Sequence, residues 1–365
     1  VAVCNDRLVQ LAECDEAPSK WPLEEGPWQE CTAQVVRSVG QWSAGTRTEA
    51  SIHAAYCDLL QEAERFVYIE NQFFCSGMDD DEDIGNRVVE ALYRRVLRAH
   101  SHKEQFQVII VLPLLPALEG EIGSTLASNL NSPLLYVVHW QYRTFRALRQ
   151  RLADRGVNMD DFVSVFGLRT HGVLQGSTPT TEQVYIHTKA MVVDDRCSIV
   201  GSANLNDRSL LGVRDSEVCV VMKDRESAAG FSSQLRSALF AQHLGWGLDE
   251  AREANISSPD FVEKVRSIAR SNTQIYEDLF GALPSDQVRT WADLATRRQA
   301  GNAMAMQQSR GESLSDFTRV PSSDDAERLA DVQGFLVEYP LEFLADEDLA
   351  PSLLSTGALA PLAFN

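Results

Sequence analysis

Residues 184–221 read VYIHTKAMVVDDRCSIVGSANLNDRSLLGVRDSEVCVV. The apolar runs in this stretch are short, β-branched and bounded by turn residues, which is the pattern of strands and not of helices. His187 and Lys189 are two apart on the first run, so strand alternation places both side chains on one face. Asp194-Asp195-Arg196 has the chemistry of a hairpin turn, and Ser198 to Gly201 is the returning strand. Such a hairpin brings Ser202 and Asn204 back to the sheet end at which His187 starts. Asp194 stands at an odd offset from Lys189, off its face. Glu217 follows within Arg214-Asp215-Ser216-Glu217.

One sheet edge then holds an imidazole, an ammonium, a hydroxyl and a carboxamide. An imidazole can attack phosphorus or move a proton near neutral pH. An ammonium and an amide stabilise charge on phosphoryl oxygens. A carboxylate such as Glu217 can orient the imidazole by accepting a hydrogen bond from its other nitrogen. Taken singly, each residue is ordinary: H-x-K is met in many strands, Asp194 is a turn residue, and a lone glutamate is a surface carboxylate by default. The joint spacing is the informative feature, with H-x-K-x-x-x-x-D over 187–194, Gly201-Ser202-Ala203-Asn204 after a six-residue gap, and Glu217 beyond.

With those motifs the chain closely resembles the phospholipase D superfamily, and within it the eukaryotic phosphatidylcholine-directed enzymes. The lipase-type blocks are Val35-Val36-Arg37-Ser38 with Trp42-Ser43-Ala44-Gly45, Tyr68 to Phe74, Leu112 to Pro116, Leu168 to Gly172, and Asn206 to Gly212. The resemblance implies a layered α-β-α sandwich that is one half of a bilobal fold. It implies hydrolysis of phosphatidylcholine to phosphatidic acid and choline, or transfer of the phosphatidyl group to an alcohol, through a phosphohistidine. Such enzymes carry two H-x-K-x-x-x-x-D motifs, whose first histidine is usually the nucleophile and whose second is the acid and base. Only His187 of the seven histidines has a lysine two residues on, so the chain resembles the half that carries the second motif. The implied catalytic set is His187, Lys189, Asp194, Asn204 and Glu217, with Lys189, Ser202 and Asn204 on the phosphate. Asp194 is expected to stabilise the hairpin more than to touch substrate. No metal or other cofactor is implied, because lysine supplies the positive charge. The implied partners are a membrane phospholipid, the missing half with the first motif and, through upstream regions, phosphoinositides and small GTPases, with no nucleic acid. The implied location is cytoplasmic, on the cytosolic face of membranes. A superfamily nuclease that completes its site by dimerisation and a catalytically silent lipid-binding fragment are the competing readings.

The composition bears on these. With 33 basic and 52 acidic residues the net charge is −19, which opposes non-specific binding to nucleic acid or anionic membrane. Seven cysteines without a C-x-x-C pair suit a reducing compartment and no zinc site. Asp79 to Asp83 reads as a solvated acidic loop, since adjacent carboxylates lack the alternation of a calcium loop. No apolar run reaches membrane-spanning length, and the start at Val1 fits a fragment.

Three segments are expected: a linker over 1–33, a catalytic half over 34–245, and a helical and loop-rich extension over 246–365 packing on it. Strands are expected at Gln34–Ser38, Phe66–Glu70, Phe106–Leu112, Phe162–Leu168 and Phe335–Val337, and helices after Thr46, over Ile84–Ala99, around Val138–Leu152 and from Ser258 to Leu279. This alternation predicts an α/β sheet covered on both faces. Phe73 and Phe74 are core by type, or line an acyl or headgroup pocket because polar Glu70, Asn71 and Gln72 precede them. His171 is expected in a loop or at the substrate. The ending Pro361 to Asn365 departs from the bulky aromatic ending of the resembling enzymes.

Overall fold

A computed structural model describes residues 31–116, 133–174, 178–225, 230–301, 317–322 and 325–350. Most of the expected linker, of the loop at 300–325 and of the C-terminal tail therefore lies outside the described residues. The elements begin with β1 (Cys31–Val39), α1 (Gln41–Ala44), β2 (Glu49–Ala50), α2 (Ser51–Glu62), β3 (Phe66–Asn71), α3 (Val88–His102) and β4 (Gln107–Val111). They continue with α4 (Pro133–Ala153), β5 (Val163–Leu174), β6 (Thr178–Gln183), β7 (Lys189–Val193), β8 (Cys197–Gly201), α5 (Asp207–Leu210) and β9 (Glu217–Asp224). The last are α6 (Phe231–Leu244), α7 (Leu248–Glu253), α8 (Pro259–Phe280), α9 (Trp291–Ala300) and β10 (Leu336–Glu338).

The sheet runs β10-β5-β4-β3-β7-β8-β9-β1-β2, with β6 paired to β5 beyond the main path. β3, β4 and β5 are parallel. From β7 onward the ladder is antiparallel. β3, β4 and β7 are buried along their whole length, as strands covered on both faces must be. Alternation along β3 divides the core. Val67 and Ile69 join Ile110, Met191 and Ile199 with the apolar faces of α2, α3 and α4. Phe66 and Tyr68 join Ile109, Val111 and Val192 with Phe240 and Leu244 of α6 and Phe261 and Val265 of α8. The result is an α/β three-layer arrangement.

Two stretches differ from the sequence reading. The Arg169-Thr170-His171-Gly172 block is not a loop; it continues β5 and pairs with β6. Arg169 is 2% exposed and donates to the Leu283 carbonyl at 2.6 Å, a tertiary partner that local propensity does not see. The helix expected from Ile84 starts at Val88, because the amides of Gly85 and Asn86 are taken by the Asp207 carboxylate at 2.6 and 2.8 Å. Beyond Trp246, α8 starts at a Ser258 cap with Pro259 in its first turn and stops at Gly281 with φ 58°, a left-handed position that suits glycine. β10 then adds an edge strand beside β5. No described helix is long and apolar enough to cross a membrane.

The acidic run is exposed but ion-paired. Asp79 meets Arg94 of α3, Asp80 meets Arg151 of α4, and Arg143 of α4 holds Asp81 at 3.1 Å and Asp83 at 2.9 Å. These surface pairs contribute little each, but together they tie the loop to two helices.

Asp194-Asp195-Arg196 forms the β7–β8 turn, with Val193 paired to Cys197 across it and left-handed φ of 56° and 58° at Asp194 and Asp195, a conformation that aspartate tolerates in turns. The Asp194 carboxylate is fully buried. It accepts the backbone amides of Glu64, Arg65 and Phe66 at 2.8, 2.7 and 2.9 Å. Asp194 thus joins the turn to the start of β3. Asp194→Ala leaves three amides without their charged acceptor and is expected to destabilise the protein by about 3–5 kcal/mol. Urea unfolding of the full-length protein measures this, with exposed His187→Ala as a control that stays within about 0.5 kcal/mol of the parent.

Candidate active site

The candidate site lies where β3 ends and β7 begins. The β3–β7 ladder closes with Asn71 opposite Lys189. Beyond Asn71 there is no strand for His187 to pair with, so His187 precedes β7 in an irregular segment and not on the strand itself. Its side chain is exposed, and its ring stacks on Tyr185 with centroids 5.7 Å apart and planes at 26°.

Lys189 is 6% exposed. Its Nζ donates to the His187 carbonyl at 2.8 Å and to Gln72 Oε1 at 3.0 Å. Gln72 Nε2 in turn donates to the Tyr185 hydroxyl at 3.0 Å. Lys189, Gln72, Tyr185 and His187 therefore form a continuous chain of contacts at one corner of the sheet. Burial pushes the Lys189 ammonium down to about 8, against the upward pull of the Glu217 carboxylate.

The Gly201-to-Asn204 step follows β8 directly. A side chain at Gly201 would meet Cys219 Sγ and the Val218 carbonyl, so only glycine permits this approach of β8 to β9. Ser202 is exposed and bonds β9 through its amide, which donates to the Val218 carbonyl at 3.1 Å. Its hydroxyl donates to Glu217. Asn204 is half-buried, and its carboxamide oxygen has no hydrogen-bond partner among the described residues. The loop that carries it is fixed to the end of β3. Asn71 Oδ1 accepts the Leu205 amide at 3.3 Å, and the Cys75 amide donates to the Leu205 carbonyl at 2.8 Å.

The expected hydrogen bond between Glu217 and His187 is not formed. Glu217 accepts the hydroxyls of Ser202 and of Ser209, the latter at 2.8 Å, and its charge acts on Lys189. Asp194, grouped with the catalytic residues in the sequence reading, stands five residues along β7 from Lys189, about 17 Å away at strand rise. Its oxygens are occupied by the amides already described, so it serves the framework and does not reach the site.

Phe73 and Phe74 are 7% and 0% exposed, and Phe74 stacks on Phe145 of α4. Both are buried, as their type predicts. His171 Nδ1 pairs with the Tyr276 hydroxyl of α8 at 2.9 Å. Gln72, Tyr185 and Ser209 are the site residues that sequence reasoning did not assign. Gln72 and Ser209 stood inside quoted blocks, and Tyr185 shares the period-two alternation of His187 and Lys189. Their roles come from contacts across strands, which spacing cannot supply.

Residues 32–286 match the phospholipase D family, and the chain belongs to that family. Among curated relatives, phospholipase D zeta 1 of Arabidopsis thaliana is 40% identical over 356 residues, covering 89% of this chain and 32% of the relative. Phospholipase D of Phytophthora infestans is 43% identical over 278 residues, covering 72% and 15%. Phospholipase D1 of Mus musculus is 35% identical over 354 residues, covering 90% and 30%. The chain thus spans about a third or less of the length of these relatives.

Lys189 is charged below its value of about 8 and neutral above it. If its charge serves the reaction, kcat/KM falls as pH rises through about 8. Saturating anionic substrate favours the charged form, so the same limb in kcat lies at higher pH. Rate profiles of the full-length protein over this range check both displacements.

Proposed function

We propose that this chain supplies one half of a phospholipase D active site. The observation that carries the reading is the buried Lys189 ammonium, linked through Gln72 and Tyr185 to the exposed His187 ring. A phosphodiester seated against Lys189 has its charge compensated in a poorly solvated place, where such compensation is strongest. The neighbouring imidazole is exposed and free to exchange a proton with the leaving oxygen. The Asn204 carboxamide stands on the adjoining loop to bind a phosphoryl oxygen, and Ser202 supports it while engaging Glu217.

The reaction is cleavage of phosphatidylcholine, or transfer of its phosphatidyl group to an alcohol. A histidine of the complementary half attacks phosphorus and forms the phosphohistidine. His187 protonates the departing choline oxygen, and then takes a proton from the water or alcohol that attacks the phosphohistidine. Lys189 supplies positive charge throughout, so the chemistry of these residues calls for no metal. Trp42, Val213, Val218 and Tyr185 are 67%, 57%, 54% and 52% exposed. Val218 adjoins Glu217, and Gly40, two residues before Trp42, approaches the Gly212 carbonyl beside Val213. Apolar exposure on this edge suits cover by the complementary half. The protein would act as a peripheral enzyme at the cytosolic face of a membrane, with phosphoinositide or small-GTPase control residing in other regions.

The test uses two substrates that differ in leaving group. In the full-length protein, His187→Ala is expected to lower choline release by about a hundredfold to ten-thousandfold. A phosphatidyl ester of a phenol is expected to lose far less, since a phenolate leaves without a proton. Lys189→Ala is expected to impair both. Equal loss on both substrates with His187→Ala would remove the proton-transfer role.

A further inference from the structure

The proposed reaction does not use a buried polar cluster at the end of β3. Glu70 of β3 and His243 of α6 are hydrogen-bonded at 2.9 Å, with side chains 5% and 7% exposed. The Tyr68 hydroxyl donates to the same Glu70 oxygen at 2.5 Å, and the Thr188 side chain also bonds Glu70. The surroundings are apolar, with Tyr68, Phe240 and Leu244 in one cluster. A buried pair of this kind seldom stabilises a fold more than well-packed apolar residues would. Its presence is better explained by what it holds.

Thr188 is the residue between His187 and Lys189. Glu70 stands opposite Ala190, and Asn71 opposite Lys189. Alternation therefore sends Glu70 to the face away from Lys189, and Thr188 with it. Three consecutive residues at the end of β3 grip the site from different sides. Glu70 bonds Thr188 from behind, Asn71 holds the loop of Asn204, and Gln72 bonds Lys189 in front. Burial pushes the Glu70 carboxyl up, but the hydrogen bond and charge of His243, helped by Thr188 and Tyr68, bring it below its ordinary value. It therefore stays an acceptor for all three donors.

We infer that Glu70 and His243 are positioning residues, which set the place of the His187 ring by holding Thr188 to the sheet. The inference rests on the proposed proton transfer by His187. His187 has no strand partner and no hydrogen bond to its ring among the described residues, so its place depends on the segment that carries it. Of the residues flanking it, Ile186 packs into the apolar layer behind the sheet, and Thr188 is the one tied to that layer by a side-chain hydrogen bond.

The test is made in the full-length protein with the choline ester and the phenol ester. Thr188→Val removes the hydroxyl at nearly constant volume. It is expected to lower kcat for choline release about tenfold or more, with KM changed less than about twofold, because a small misplacement of a catalytic group has effects of this order. The phenol ester is expected to be affected less. Thr188→Ser, which keeps the hydroxyl, is expected to retain the parent rate. His243→Gln, which keeps a donor, is expected to exceed His243→Ala in kcat. Thr188→Val at the parent kcat, or equal losses on both esters, would overturn the inference even if the buried variants fail to fold. His187→Ala is run beside it. If that variant loses choline release while Thr188→Val does not, the positioning role alone falls. If it does not lose it, the proton-transfer reading falls and takes this inference with it.

Discussion

The pairing of β3 with β7 is the constraint on which the rest of the structure depends. Both strands are buried along their length and sit at the middle of the sheet, where parallel order gives way to antiparallel order. Each end of the pair is locked by a side chain that uses backbone groups the ladder leaves over. At one end Asp194 takes three amides at the start of β3. At the other, Asn71 takes the amides of Phe73 and Leu205. A register shift of one residue would break both locks and turn Lys189 to the opposite face.

This arrangement explains how an irregular segment can hold an exposed side chain in place. His187 lies beyond the ladder, but its flanks do not. Lys189 is the first residue of β7 and donates to the His187 carbonyl, while Tyr185 is bonded to Gln72 and stacks on the imidazole. The ring is thus exposed without being carried by a free loop. Function at the end of a rigid strand pair combines access with precision.

Charge is distributed to the same end. Several of the 52 acidic residues are engaged in ion pairs that tie loops to helices, as with Asp79, Asp80, Asp81 and Asp83. Inside the sheet the charges are few and specifically partnered. Lys189 is one of them, and it is held mainly by neutral acceptors, the Gln72 carboxamide and the His187 carbonyl. Among the described residues no carboxylate is in contact with this cation.

By itself the sequence determined the α/β class, the hairpin turn at Asp194-Asp195-Arg196, and the cap and stop of the helix at Ser258 and Gly281. These follow from period, turn chemistry and spacing, all of which act over a few residues. The tertiary structure alone decided that Asp194 faces the start of β3 and not the site, that Glu217 bonds Ser202 and Ser209 in place of His187, and that Gln72 and Tyr185 complete the corner. It also decided that the Arg169 to Gly172 stretch is strand, since it pairs with β6 and Arg169 is held by the Leu283 carbonyl more than a hundred residues away. Each of these depends on which strand becomes whose neighbour. That choice is made by the burial of both sheet faces together, and no local pattern encodes it.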